Sequence, residues 1–195
     1  MRADQLPLWI FLWTLHADRS DAARSVTHFA GEYAEAARLH GASAFFDSTS
    51  LEISRDDKGK PYFPSIPDLH FSLSHSGDYG ACAFYGQPVG LDLQLHTPCR
   101  REAIARRFFH PDEQTFLERH SFVPFFQIWT AKESYLKYTG DGLSGGLSKF
   151  SVVDGDALKT RMGDVGFYRL ELPETYSLCL CTRVIPDVRI EDRRR

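Results

Sequence analysis

The segment IWTAKESYLKYTGDGLSGGL, Ile128 to Leu147, runs a helical pattern into a glycine-rich stop. Trp129, Glu133 and Lys137 recur every four residues, so a helix of 3.6 residues per turn stacks them on one face, with Lys132 alongside. Taken alone, Glu133 and Lys137 make an ordinary i,i+4 ion pair of roughly 0.2–0.5 kcal/mol, and Gly140 an ordinary helix stop. In PVGLDLQL, Asp92 and Gln94 are two apart and share one face of a strand, while Leu91, Leu93 and Leu95 take the other. A carboxylate so placed suits magnesium, which takes one or two carboxylates plus waters and phosphate oxygens. A solvated edge aspartate has the same sequence. Lys58 and Lys60 sit in the loop DDKGKPYFPSIPD, and Ser74, His75 and Ser76 close the strand LHFSLSHS. Such groups at loop ends hold phosphate by charge and hydrogen bonds. A structural turn histidine is the plain alternative. A Ser74 or Ser76 nucleophile with His75 as base is disfavoured, because strand neighbours point to opposite faces.

These side chains need a scaffold. The chain has 195 residues, 43% hydrophobic and 25% charged, enough for one large or two small domains with a real core. Net charge is −3, from 23 Lys+Arg against 26 Asp+Glu. That balance excludes a general nucleic-acid binder, which needs a basic footprint. Cys82, Cys99, Cys179 and Cys181 form no C-x-x-C pair, so a zinc site is not expected and a reducing, cytoplasmic compartment is. LPLWIFLWTL is about half of a bilayer span and lacks a small-residue cleavage site, so it reads as a buried first strand.

The patterns predict strands at Leu8–Thr14 and Leu51–Ser54, a hairpin from LHFSLSHS and YGACAFY about Gly77-Asp78, and a strand in PVGLDLQL. In LHFSLSHS, His70, Ser72 and Ser74 take the polar face of a half-buried strand. Helices are expected at Ala22–Leu39, capped by Ser20 or Asp21 and stopped near Gly41, then at Ile104–Phe109, Asp112–Arg119 and Phe125–Tyr138. Strands at Phe150–Val153, Gly166–Leu172 and Tyr176–Val184 follow, then RIEDRRR as a charged, mobile tail. Irregular alternation with hairpins favours an α+β fold over a doubly wound sheet.

The order of the motifs is more specific than any one of them. GKPYF, HFSLSHSGDYGACAF, VGLDLQ, RRFFHPDEQTFL and IWTAKESYLKYTGDGLS follow one another from about Lys58 to Val153. This series resembles the Sfp-type 4′-phosphopantetheinyl transferases of the holo-acyl-carrier-protein synthase superfamily. The resemblance implies transfer of phosphopantetheine from coenzyme A to a serine of an apo carrier protein, leaving adenosine 3′,5′-bisphosphate. It implies a pseudo-dimer of two similar α+β halves in one chain, residues 1–88 and 89–195, with the active site between them and a monomer as the working unit. It assigns magnesium to Asp92, Gln94 and Glu133. It assigns coenzyme A to Lys60, Ser74, His75 and Lys132, and catalysis to Glu133, Lys137 and Glu113. Glu133, Glu113 or a bound water would take the serine proton, and Trp129 would anchor packing. Arg100, Arg101, Arg106 and Arg107 form either a carrier-docking patch or a solvated helix face.

Two departures stand out. Gln94 replaces a family glutamate, which removes one charge from the metal site. The N-terminal region is short, and the place of a family arginine falls near Thr27, with Arg19 or Arg24 as substitutes. These departures motivate a second reading, a non-catalytic relative that holds coenzyme A or a carrier protein. A hydrolase built on Ser74 and His75 is the third.

Overall fold

The computed structural model describes residues 7–15, 22–39, 51–142, 146–170, 172, 175–183 and 187–194. Arg19, the Ser20 and Asp21 caps and the Gly41 stop lie outside the described residues. The fold is α+β. Strand β1 (Leu8–Thr14) leads to helix α1 (Ala22–Leu39), the short pair β2 (Ser54–Arg55) and β3 (Pro61–Tyr62), then the hairpin β4 (His70–Ser76) and β5 (Tyr79–Tyr85). Strand β6 (Val89–Leu95) is followed by α2 (Arg101–Phe108), α3 (Pro111–Arg119) and α4 (Phe125–Thr139). Short strands β7 (Val153–Asp154), β8 (Ala157–Leu158) and β9 (Arg161–Met162) precede β10 (Val165–Leu170), β11 (Tyr176–Thr182) and β12 (Val188–Arg193).

Two four-stranded sheets result, ordered β12-β1-β5-β4 and β6-β11-β10-β9. Alternation along their strands builds three cores. Trp9, Phe11 and Trp13 of β1 pack with Val26, Phe29, Ala30 and Tyr33 of α1, whose spacing of three and four makes one apolar face. Leu8, Ile10 and Leu12 point the other way. They meet Ala81 and Ala83 of β5, Leu91 and Leu93 of β6, and Leu178 and Leu180 of β11 between the sheets. The far face of the second sheet, with Cys179 and Cys181, packs under α4 and α2–α3. The sheets are therefore buried on both faces, which accounts for the nearly unbroken apolar run of β1. Among the described residues, no helix is long and apolar enough to cross a membrane. All four cysteines are free thiols.

The C-terminal segment departs from expectation. Val188–Arg193 is not a mobile tail but a strand parallel to β1, at the edge of the first sheet. Its arginines cover aromatic faces: Arg189 lies 4.3 Å from the Trp9 ring centroid and Arg193 5.4 Å from Phe11. A charged edge strand is also a standard guard against sheet extension. The strand expected at Leu51–Ser54 shrinks to Ser54–Arg55.

Where the two sheets meet, β4 and β6 run side by side without a backbone ladder. The amides of Leu91, Leu93 and Leu95 donate to the hydroxyls of Ser72, Ser74 and Ser76 at 2.9, 3.0 and 3.0 Å. Every second amide of a strand points to the same side, so serines two apart supply acceptors in step. The serine face of LHFSLSHS thus meets β6, and Ser72 and Ser74 are buried.

Candidate active site

Helix α4 lies directly on β6, and Gly90 allows it. A Cβ at residue 90 would stand 1.9 Å from the Ser134 carbonyl oxygen and 2.5 Å from the Tyr138 amide nitrogen. This close approach sets Glu133 and Lys137, on either side of Ser134, over Asp92. The helix ends as expected at Gly140, whose left-handed φ of 75° lets its amide donate to the Leu136 carbonyl at 2.9 Å.

Lys137 does not pair with Glu133. Its ammonium crosses to Asp92 Oδ1 at 2.7 Å, Ser74 Oγ at 3.0 Å and the Leu91 carbonyl at 3.0 Å, with the Leu73 carbonyl at 3.4 Å. An ammonium has three protons, and the three short contacts use them all. Asp92 Oδ1 also accepts from Ser74 Oγ at 3.0 Å. The other oxygen, Asp92 Oδ2, is buried without a hydrogen-bond partner, and so is Glu133 Oε1. Burial pushes both carboxyls above the usual range. For Glu133 the neighbouring Asp92 charge adds to the effect and Lys137 opposes it. Buried acceptors left open cost on the order of 1–3 kcal/mol each, so the arrangement is incomplete without a donor or a cation. Two hard carboxylate oxygens suit magnesium. Among the described residues no group of three or more His, Cys, Asp or Glu could hold a metal. Further ligands would have to come from Gln94, water or substrate. Gln94 follows on the same strand face, its amide nitrogen donating to the Leu95 carbonyl at 3.0 Å.

Beside Lys137 opens a cleft of about 190 Å³, lined by Lys58, Lys60, Leu73, Lys137, Gly140 and Gly142. Lys60 also lines a neighbouring cleft of about 420 Å³ with Tyr62, His70, Pro88 and Tyr138. Lys60 Nζ donates to the Tyr138 carbonyl at 3.1 Å, and burial lowers its pKa. Lys58 reaches Asp141 at 2.6 Å, tying the loop before β3 to the end of α4.

Three of the assigned residues are engaged with protein partners. Ser74 is buried, and its hydroxyl is fully used: it donates to Asp92 and accepts from Leu93 and Lys137. Any contact of Ser74 with coenzyme A would have to replace one of these bonds. Lys132 and Glu113 are paired with each other at 2.7 Å, both fully buried. Lys132 also donates to the Phe150 carbonyl at 2.6 Å and lies 4.2 Å from the Phe150 ring centroid. Glu113 Oε1 accepts from Val152 N at 2.8 Å, and its Oε2 accepts from His110 N at 3.0 Å in the capping box of α3. Adjacent positions on a helix face about 100° apart, and Lys132 is bonded to Glu113 and the Phe150 carbonyl rather than to Asp92. His75 is exposed on the face of β4 opposite Ser74. Trp129 packs on Phe109 and Phe125, as expected of an anchor. Sequence reading missed Gly90 and the bonds that the alternating serines make to β6. The signals were a glycine inside a strand and serines at every second position of its neighbour.

Residues 88–183 match the 4′-phosphopantetheinyl transferase superfamily. The chain is 36% identical over 148 residues to a 4′-phosphopantetheinyl transferase of Bacillus subtilis, covering 74% of this chain and 60% of the relative. It is 37% identical over 139 residues to the transferase Sfp of Bacillus subtilis strain 168, covering 68% and 57%. With the transferase HetI of Nostoc sp. strain PCC 7120 it shares 38% over 103 residues, covering 48% and 44%. The chain belongs to the Sfp-type 4′-phosphopantetheinyl transferase family. It spans about 60% of the length of the curated relatives that match it over the longest stretches. The superfamily match runs from the start of β6 through β11, so it contains Asp92, Gln94, Glu133 and Lys137. Ser74, His75 and Lys60 precede it.

The basic residues after β6 lie on this family domain. Arg100, Arg106 and Arg107 are exposed. Arg106 pairs with Glu102 at 2.6 Å. Arg101 donates to the Phe122 carbonyl at 3.2 Å and lies over the Phe126 ring.

Proposed function

We propose that this chain is a magnesium-dependent 4′-phosphopantetheinyl transferase that moves phosphopantetheine from coenzyme A to a carrier-protein serine. The observation that carries this reading is the pair of unpartnered buried oxygens, Asp92 Oδ2 and Glu133 Oε1, beside a lysine-lined cleft. In the reaction a bond forms from the serine Oγ to phosphorus, and the pyrophosphate bond breaks. The products are the holo carrier and adenosine 3′,5′-bisphosphate. Asp92, Glu133 and, with a neutral ligand, Gln94 would hold magnesium. The chemistry supplied by bound magnesium is neutralisation of charge on the pyrophosphate oxygens. Lys60, Lys58 and Lys137 place positive charge along the cleft for the phosphates, with Lys137 exchanging one of its present bonds to reach them. Of the two carboxylates proposed to accept the serine proton, Glu133 is the one at the cluster.

The topology supports a pseudo-dimer with its halves near 1–88 and 89–195. In each sheet the first strand of the half is followed by helix, and the last strand of the later hairpin inserts beside it: β1-β5-β4 and β6-β11-β10. The crossing of β12 back to β1 amends that division. Both clefts are lined in part by β4, and the carboxylate pair comes from β6 and α4. A monomer is the form this organisation favours. The exposed arginines of α2 are the surface we assign to an acidic carrier, in a cytoplasmic setting that suits four free thiols.

The deciding experiment mixes the protein with coenzyme A, magnesium and a panel of apo carriers, and reads intact carrier mass. A phosphopantetheine-sized gain that a chelator removes is the expected result. Magnesium-dependent coenzyme A binding with no gain on any carrier would instead support the non-catalytic relative. Gln94→Glu is expected to lower the magnesium concentration for half-maximal rate about tenfold, by restoring a ligand charge. Superimposable magnesium titrations would remove Gln94 from the site.

A further inference from the structure

The resemblance assigns Ser74 to coenzyme A, and its hydrogen bonds give it work within the protein. A hydroxyl has one proton and two lone pairs. The Ser74 lone pairs accept from the Leu93 amide at 3.0 Å and from Lys137 Nζ at 3.0 Å. Its single proton must therefore go to Asp92 Oδ1, also at 3.0 Å. Asp92 Oδ1 in turn receives two donors, the Ser74 hydroxyl and Lys137 at 2.7 Å. Oδ2 receives none and is buried. The carboxylate is thus oriented by its first oxygen. The two donors on one oxygen fix the plane of the group, so that its other oxygen faces the open side.

We propose that Ser74 is a positioning residue whose hydroxyl commits Asp92 Oδ1 to the protein, so that Oδ2 is the oxygen offered to a cation beside Glu133 Oε1. The inference rests on reading Asp92 and Glu133 as the cation site. It gives the alternating serines two duties. All three accept a β6 amide and join the two sheets. Ser74 alone of them also touches Asp92. Outer residues that orient metal ligands typically change metal affinity by about 10- to 100-fold.

Ser76 provides the control. Its hydroxyl accepts from the Leu95 amide at 3.0 Å, as Ser74 accepts from Leu93. Ser76→Ala and Ser74→Ala therefore remove the same kind of inter-sheet bond, and both should lower the melting temperature. Manganese(II), which takes the same oxygen ligands as magnesium, is titrated into the full chain without coenzyme A, and free ion is followed by its paramagnetic resonance signal. Ser74→Ala is expected to weaken manganese binding about tenfold, while Ser76→Ala stays within about twofold of wild type. Ser74→Cys keeps the side-chain size with a weaker donor. It should fall between Ser74→Ala and wild type, and it replaces Ser74→Ala if that variant does not fold. Equal affinities for the Ser74 and Ser76 variants would overturn the proposal and leave the cation site standing. Wild-type protein that binds no manganese, even once coenzyme A is added, would overturn the cation site itself, and the proposal with it.

Discussion

Gly90→Ala is expected to lower the rate of phosphopantetheine transfer by about 100-fold or more. The added methyl carbon would stand 1.9 Å from the Ser134 carbonyl oxygen and 2.5 Å from the Tyr138 amide, both backbone atoms of α4. Backbone cannot swing aside as a lysine tip can, so the helix must move away from β6 by an ångström or more. Glu133 and Lys137 flank Ser134 and travel with it. A displacement of about 1 Å in a reacting constellation costs on the order of 100-fold. Overpacking itself costs about 1–3 kcal/mol, which leaves a folded protein for assay. The check is the transfer rate at saturating magnesium, beside the melting temperature. A folded Gly90→Ala protein with wild-type turnover would show that the contact of α4 with β6 does not set the site.

The second large effect separates two glutamates. Glu133→Gln should reduce transfer by about 1,000-fold, the scale seen when one preorganised charge-stabilising group is lost. It should hardly lower stability, because Glu133 Oε1 has no hydrogen-bond partner to lose. Its raised carboxyl pKa already marks the charge as costly to the fold. Glu113→Gln should do the reverse. It leaves the Lys132 ammonium buried opposite a neutral amide, a loss of about 3–5 kcal/mol when one member of a buried pair is removed. For a chain of this size that is a fall of roughly 10 °C in melting temperature. Transfer per folded molecule should survive at temperatures where the variant is folded. Parallel rate and melting measurements on the two variants decide the matter. A stable Glu113→Gln protein without transfer would return Glu113 to the catalytic role that its family position implied.

Much of the scaffold was legible from local pattern. The apolar run of Leu8–Thr14, the helix at Ala22–Leu39, the Gly77-Asp78 hairpin and the helix ending at Gly140 all appear as expected. Asp92 and Gln94 do share a strand face, with Leu91 and Leu93 on the other. Periodicity reports which residues share a face, because that depends only on backbone geometry. The order of the motifs added the family, since such a series is not met by chance.

What covers each face was decided only by the tertiary structure. Lys132 and Lys137 are both lysines of one helix, yet one is sealed against Glu113 and Phe150 and the other bridges to Asp92. Ser72 and Ser74 read as the polar face of a half-buried strand, and β6 lies against them and Ser76. The last residues read as a loose charged tail, and they close a sheet edge over Trp9 and Phe11. In each case the deciding partner is distant in sequence. A hydroxyl, a carboxylate or an ammonium has the same pattern along the chain whether water or another strand satisfies it. Only the packing of α4 on β6 and of β6 beside β4 determines which charges meet, and which two carboxylate oxygens are left open.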